Sequence, residues 1–203
     1  MRLLPERQFY QGKSFLKQVL SLFLFQTLLG SISPAFAAES LSVVSGLELS
    51  SHKFFQLNLK ETKIATVLLF LSTRCPCSNS HLPALNALAQ EFSPLGFEFV
   101  GIHSNANEEL AESFDHFQRA KLQFPVIQDN EGKIADYFRA HKTPHVFVVS
   151  PTGKMLFQGG VDNSRLLEKA DRHYLKDALL ALKNGKEPPE KEVRVLGCQI
   201  LRK

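Results

Sequence analysis

The stretch Phe70-Leu71-Ser72-Thr73-Arg74-Cys75-Pro76-Cys77-Ser78, continued by Asn79-Ser80-His81-Leu82-Pro83-Ala84-Leu85, decides how the rest of the chain is read. Its first residues close Thr66–Leu71 (TVLLFL), an unbroken apolar run of the kind a strand shows when both its faces are covered. Beyond it Leu82, Leu85, Leu88, Ala89 and Phe92 fall on one side of a helix that Pro94 and Gly96 terminate. Cys75 and Cys77 therefore stand at a strand-to-helix junction. Unpaired N–H groups and the dipole at a helix N-terminus favour a thiolate over a thiol, and Arg74 is a further cationic influence. The junction and Pro76 argue against Cys75 as simple buried filling.

Working outward, His52–Leu59 (HKFFQLNL) reads as a short strand and Phe97–Ile102 (FEFVGI) as a second buried one. Asn105 or Asn107 is placed to cap a helix whose inner face is Leu110, Ala111, Phe114 and Phe117. Phe124–Gln128 reads as a short extended piece and Lys133–Ala140 as a short helix. His145–Val149 (HVFVV), Pro151-Thr152-Gly153 and Met155–Gln158 form a hairpin pattern. Leu166, Leu167, Ala170, Tyr174, Ala178 and Leu182 predict a last amphipathic helix, stopped at Asn184-Gly185. Alternating strands and helices imply parallel βαβ units, and the hairpin adds an antiparallel edge. The class is α/β: a central mixed sheet with helices on both faces.

Residues 1–37 hold Arg2, Arg7, Lys13 and Lys17 against Glu6 alone, so three of the four net positive charges lie there. No basic patch remains to suggest nucleic acid, and no Walker loop or Gly-x-Gly-x-x-Gly is present. Val19–Leu29 is apolar, Gly30 and Pro34 break it, and Ala35-Phe36-Ala37 follows. This is the layout of a secretory signal cleaved after Ala37. The run is shorter than the roughly 20 residues that span a bilayer, which disfavours an uncleaved anchor. The expected organisation is a signal over 1–37, a domain over 38–185 and a tail over 186–203 carrying Cys198. The tail reads as irregular, although its apolar residues suit docking on the domain. Export to a periplasm or beyond the cell permits a disulfide to persist, with no membrane span after cleavage. Three cysteines allow one bridge and leave one thiol.

The stretch FLSTRCPCSNSHLPAL resembles the active-site strand, turn and first helix of thioredoxin-like proteins. Cys75 takes the place of their nucleophilic cysteine, and Pro83, eight residues on, that of the helix-kinking proline. Thr143-Pro144 is similar to the family's cis-proline loop, and VFVVSPTGKMLFQGGVD to the hairpin after it. The likeness extends over roughly Leu41–Leu182 and is nearest the redoxin branch, the alkyl hydroperoxide reductase and thiol-specific antioxidant group. Some exported members of that branch end in Gly-Cys-x-Ile, like Gly197-Cys198-Gln199-Ile200 here. The resemblance implies a thiol-disulfide oxidoreductase with no cofactor. Cys75 is its nucleophile, Cys77 or Cys198 its resolving thiol, and the backbone of Thr143, before a cis Pro144, pairs with an extended substrate. The implied partners are protein thiols or disulfides, small thiols or peroxides, and a redox partner protein.

The motif departs from the family's Cys-x-x-Cys. Ser78 stands where the second cysteine is expected, and Cys77 where proline is. A Cys75–Cys77 bridge closes a small ring of the strained, oxidising kind. For peroxide reduction the family pattern has proline seven residues before the nucleophile, and threonine or serine three before it. Leu68 and Ser72 occupy these positions, with Arg119 or Arg139 as the available guanidinium. Thiol peroxidase is thus a lesser alternative. Another is a copper carrier similar in fold to Sco-like proteins, using Cys75 and Cys77 with His81, His103 or His145. Each histidine also reads as a water-exposed helix-face or strand-end residue, so no metal ligand is assigned. A third alternative is an adaptor whose thiols are incidental. Asp129 and Asp162 read as surface turn acids.

Overall fold

The computed structural model describes residues 41–202, and the expected leader over 1–37 lies outside them. The run Ala65–Leu71 is buried at every position because side chains alternate across a strand and both faces are covered. Val67, Leu69 and Leu71 enter one apolar cluster, Leu68 and Phe70 a second.

The strands are β1 (Val43–Glu48), β2 (Phe54–Asn58), β3 (Ala65–Leu71), β4 (Phe97–His103), β5 (Val126–Gln128), β6 (Lys142–Thr143), β7 (His145–Val149), β8 (Met155–Gly159) and β9 (Cys198–Gln199). The helices are α1 (Pro76–Phe92), α2 (Leu110–Ala120), α3 (Lys133–Phe138) and α4 (Tyr174–Lys183). Seven strands form one sheet in the order β2-β1-β5-β4-β3-β7-β8, and β6 and β9 make a separate pair. β3, β4 and β5 run parallel, while β7 and β8 continue the sheet antiparallel. α1, α2 and α4 cover one face through Leu85, Phe92, Phe117, Leu175 and Leu179. α3 covers the other through Ile134, Ala135 and Phe138. The fold is the expected α/β class with a mixed sheet and helices on both faces.

Four local readings change. β1, not foreseen, pairs with β2 and β5 and extends the far edge. α2 turns Ser113 and Phe117 inward and leaves Leu110 42% exposed, with Ala111 also outside. Asn105 does not cap that helix, since its Oδ1 accepts the Leu201 N–H instead. The last helix begins only at Tyr174. The Asn163 side chain accepts the Asp171 and Arg172 N–H groups and holds the preceding backbone in a loop, leaving a 3-10 turn at Leu167–Lys169.

The stretch after Gly185 docks along its length. Val193 N–H donates to Gln158 O, and Gln158 N–H to Lys191 O. β9 then pairs antiparallel with β6, setting Cys198 opposite Thr143. Beyond it Ile200 N–H donates to His141 O, and Arg202 reaches Asp136 Oδ1 and Ala140 O. Two glycines admit this path. A Cβ on Gly159 would lie 2.3 Å from Val193 Cγ2, and one on Gly197 would lie 2.0 Å from Thr143 O.

Candidate active site

β3 delivers the chain to a turn at Ser72–Arg74 whose backbone is tied down before the helix begins. Ser72 Oγ accepts the N–H groups of Arg74 and Cys75, at 3.2 and 3.0 Å, and donates to Glu108 Oε1. Thr73 donates to Glu108 Oε2 through both its N–H and its hydroxyl. His103, wholly buried at the end of β4, meets the same oxygen through Nε2 at 2.9 Å. Burial pushes the Glu108 carboxyl up, but the hydrogen bonds from His103, Ser72 and Thr73 outweigh it and hold it at about 2. An ionised carboxylate thus anchors the turn that carries the cysteine.

Cys75 is the N-cap of α1, with Pro76 in the first helical turn, where its missing N–H leaves no donor unsatisfied. Its sulfur receives the Ser78 N–H at 3.4 Å. On the opposite side the Cys75 thiol donates to Thr143 O, 3.0 Å away, the carbonyl of the cis peptide bond to Pro144. Cys75 is only 1% exposed. Cys198, exposed on β9, stands opposite Thr143 at the same edge.

The three thiols are free and differ in character. Burial pushes the Cys75 thiol up, yet hydrogen bonds from the Cys198 side chain and from the Ser78 and Cys198 backbone bring it below the ordinary value. Cys198 moves the other way, to about 12, through burial, its hydrogen bond to Cys75 and the negative charge of Cys75. Cys77 is raised by burial and by the same charge. Of the three, Cys75 is the sulfur that ionises first.

Under the first turn of α1, His81 Nδ1 meets Cys77 O at 2.6 Å and Nε2 meets Asp162 Oδ2 at 2.9 Å. His81 and Asp162 are each 2% exposed. Burial pushes the imidazole down, but the Asp162 hydrogen bond and the Cys77 carbonyl carry it above its ordinary value. A carbonyl only accepts, so Nδ1 carries a proton, and the pair holds a further proton between Nε2 and the carboxylate. Asp162 is therefore no surface turn acid. Neither is Asp129, whose oxygens accept the Ile134 and Ala135 N–H groups and the Ser104 hydroxyl.

The structure brings Cys75, Cys198, Thr143 and Pro144 together, with Cys77 one residue into the helix. The backbone edge of Thr143, expected to receive an extended substrate, is paired with β9 of the same chain. Arg74 turns away to Glu112 and to Asn107 O, and the guanidinium whose charge acts on Cys77 and Cys198 is Arg165. His81, His103 and His145 are buried, not water-exposed. His81 and His103 are committed to carboxylates, and His145 stacks on Phe147. Among the described residues no group of three or more His, Cys, Asp or Glu is arranged to hold a metal ion. Arg139 ends α3, on the sheet face opposite α1. Glu108, Asp162 and Arg165 escaped sequence reasoning. An acid directly after the capping candidate Asn107 carries no local signal of a partner 36 residues away.

This sheet order, with a thiol capping the helix that follows β3, is the thioredoxin-like architecture in its redoxin form. The AhpC/TSA family matches residues 35–158, more than half of the chain, and the chain belongs to that family. It is 25% identical over 139 residues to the thiol-disulfide oxidoreductase ResA of Oceanobacillus iheyensis, covering 68% of each chain. Among solved structures it resembles an uncharacterised conserved protein from Geobacillus kaustophilus at 26% identity and TM-score 0.70, covering 79% of this chain and 89% of that one. A hypothetical protein from Sinorhizobium meliloti, 24% identical with TM-score 0.69, shares the fold over 78% of this chain and 90% of that one. No helix among the described residues is long and apolar enough to cross a membrane.

Proposed function

We propose that the chain is an exported thiol-disulfide oxidoreductase of redoxin type in which Cys75 attacks and Cys198 resolves. The enzyme class rests on membership of the AhpC/TSA family and on the likeness to ResA. The observation that carries the mechanism is the β6–β9 pairing, which sets Cys198 opposite Thr143, whose carbonyl oxygen lies 3.0 Å from the Cys75 sulfur. The Cys75 thiolate attacks one sulfur of a substrate disulfide, forming a mixed disulfide and expelling the substrate's other sulfur as thiolate. Cys198, losing its proton, then attacks Cys75 Sγ. The Cys75–Cys198 bond forms, the second substrate thiolate leaves, and two electrons have passed from the cysteine pair to the substrate. The reverse sequence oxidises a substrate dithiol, and the reduction potential sets the direction.

Cys77 is the less favoured resolver, because it lies two residues from Cys75 at the start of the same helix, with its carbonyl tied to His81, and a bridge between them closes a small, strained ring. With Cys75 1% exposed, a substrate sulfur reaches it when β9 leaves β6, which also frees the Thr143 edge for an extended peptide. Export is supported by the signal layout of residues 1–37.

The test is cysteine mapping by alkylation and mass spectrometry of the oxidised protein, with exchange rates for single variants. A Cys75–Cys198 bridge is expected, with exchange lost in Cys75→Ser and a stable mixed disulfide accumulating in Cys198→Ser. A Cys75–Cys77 bridge would transfer the resolving role, and parent-rate exchange by Cys75→Ser would end the proposal. Amino-terminal sequencing of the exported protein should begin at Ala38.

A further inference from the structure

On the sheet face opposite α1, a cavity of about 550 Å³ opens between the end of α3, β6, β8 and the tail residues Glu192–Val195. That volume lies within the roughly 300–1,000 Å³ of small-molecule sites. Its base is aromatic. Phe138 and Phe147 belong to the second apolar cluster, and the His145 ring lies tilted at 38° against Phe147, centroids 4.3 Å apart. Its rim is cationic, with Arg139, Lys142 and Arg194 against the single carboxylate of Glu192. Among the described residues neither guanidinium meets a carboxylate within salt-bridge distance, and the Lys142 ammonium reaches only Val195 O, at 3.3 Å.

A second observation is independent of the charge count. His145 is 5% exposed, and its Nδ1 has no hydrogen-bond partner. A buried polar nitrogen without a partner forfeits its hydrogen bond to water, so such atoms in a cavity wall mark where a ligand or ordered water belongs. Burial, with His141 and Lys142 nearby, pushes this imidazole down to about 3, so the ring offers a neutral hydrogen bond and a stacking face.

We infer that this cavity is a binding site for a small organic anion, a carboxylate or phosphate ester carried on a planar apolar body. The body lies on the His145–Phe147 surface, and the anionic group reaches the Arg139, Lys142 and Arg194 side chains, where guanidinium forks suit either oxyanion. None of the three cysteines lines the cavity, although Lys142 on its rim is next to Thr143, the residue opposite Cys198. Its walls join the domain to the tail, because Arg139 and Lys142 belong to the first and Arg194 to the second.

The test is calorimetric titration of the full mature chain with 2-naphthoate, phenyl phosphate and the neutral 2-naphthylmethanol. Saturable one-to-one binding is expected for at least one anion, with the neutral probe at least tenfold weaker. The stronger anion distinguishes a carboxylate from a phosphate source. Arg139→Gln with Arg194→Gln, both at exposed positions, should weaken anion binding at least tenfold without altering the far-ultraviolet circular dichroism. Equal binding of the neutral probe, unchanged anion binding by the double variant, or no binding of either anion at millimolar concentration would each overturn the inference.

Discussion

Thr143 stands opposite Cys198 in the β6–β9 pair while its carbonyl oxygen lies 3.0 Å from Cys75 Sγ. One peptide unit thus sets the distance between the two thiols that the proposed cycle joins. Cys198 in turn shapes the acidity of Cys75 through its hydrogen bond.

Removing that donor should make Cys75 a poorer thiolate. For Cys198→Ala we expect the apparent pKa of Cys75, read from the pH dependence of iodoacetamide alkylation, to rise. In the parent, Cys75 should react at lower pH than Cys198, which is held near 12. Identical profiles in parent and variant would show that the donor has no influence.

Gly197 tests whether the tail's seat matters apart from its cysteine. Its φ of 157° and the 2.0 Å approach of a Cβ to Thr143 O leave no room for a side chain. Gly197→Ala should slow oxidation to the Cys75–Cys198 disulfide at least tenfold, while sheet stability in urea changes by less than about 1 kcal/mol. Unaltered oxidation kinetics would mean that the tail finds Cys75 without β9.

Glu108 predicts a share of the acid sensitivity. Its carboxyl is held at about 2 in the fold against an ordinary 4.5, so its contribution is present above pH 4.5 and lost as pH falls through 2. The shift corresponds to about 3 kcal/mol. Urea unfolding between pH 2 and 6 should show a shallower acid-side decline for Glu108→Gln than for the parent. Parallel curves would remove Glu108 from the account.

The His81–Asp162 pair should be costly to break and cheaper to remove whole. Asp162→Ala is expected to lose about 3 kcal/mol or more, whereas His81→Leu with Asp162→Leu should recover a large part of it. The imidazole is raised above its ordinary 6.5. Its stabilisation is therefore full below pH 6.5 and fades as pH climbs through the raised value. Comparing unfolding at pH 6 and pH 9 checks this, and a parent no more sensitive over that interval than the double variant contradicts it.

The segments most legible in sequence were those whose environment is set by near neighbours. The TVLLFL run announced a strand covered twice, and the hairpin after Pro144 carried its own turn residues. Cys75 at a helix start followed from the period change alone. What stayed hidden was decided at a distance. Leu110 and Phe117 share a helical stripe, yet only the latter lies over the sheet. Asp129 and Asp162 look like any loop acid until Ile134 and Ala135, or His81, are brought to them by the fold. Leu167 fits the stripe of the last helix, but Asn163 captures the backbone on which that helix would have begun. Partnership across tens of residues leaves no periodic trace.

All seven strands of the main sheet and all four helices precede Gly185, whereas Cys198 follows it. A frameshift or proteolytic clip in the tail therefore leaves the main sheet and its helices in the chain but removes the partner sulfur together with the contacts that β9 and Ile200 make. Such a product keeps its attacking cysteine and lacks the means to let go of what it captures, so on the proposed cycle it accumulates as a covalent adduct. A partly clipped population would then hold its clients as mixed disulfides on Cys75, a consequence that absence of the chain does not have.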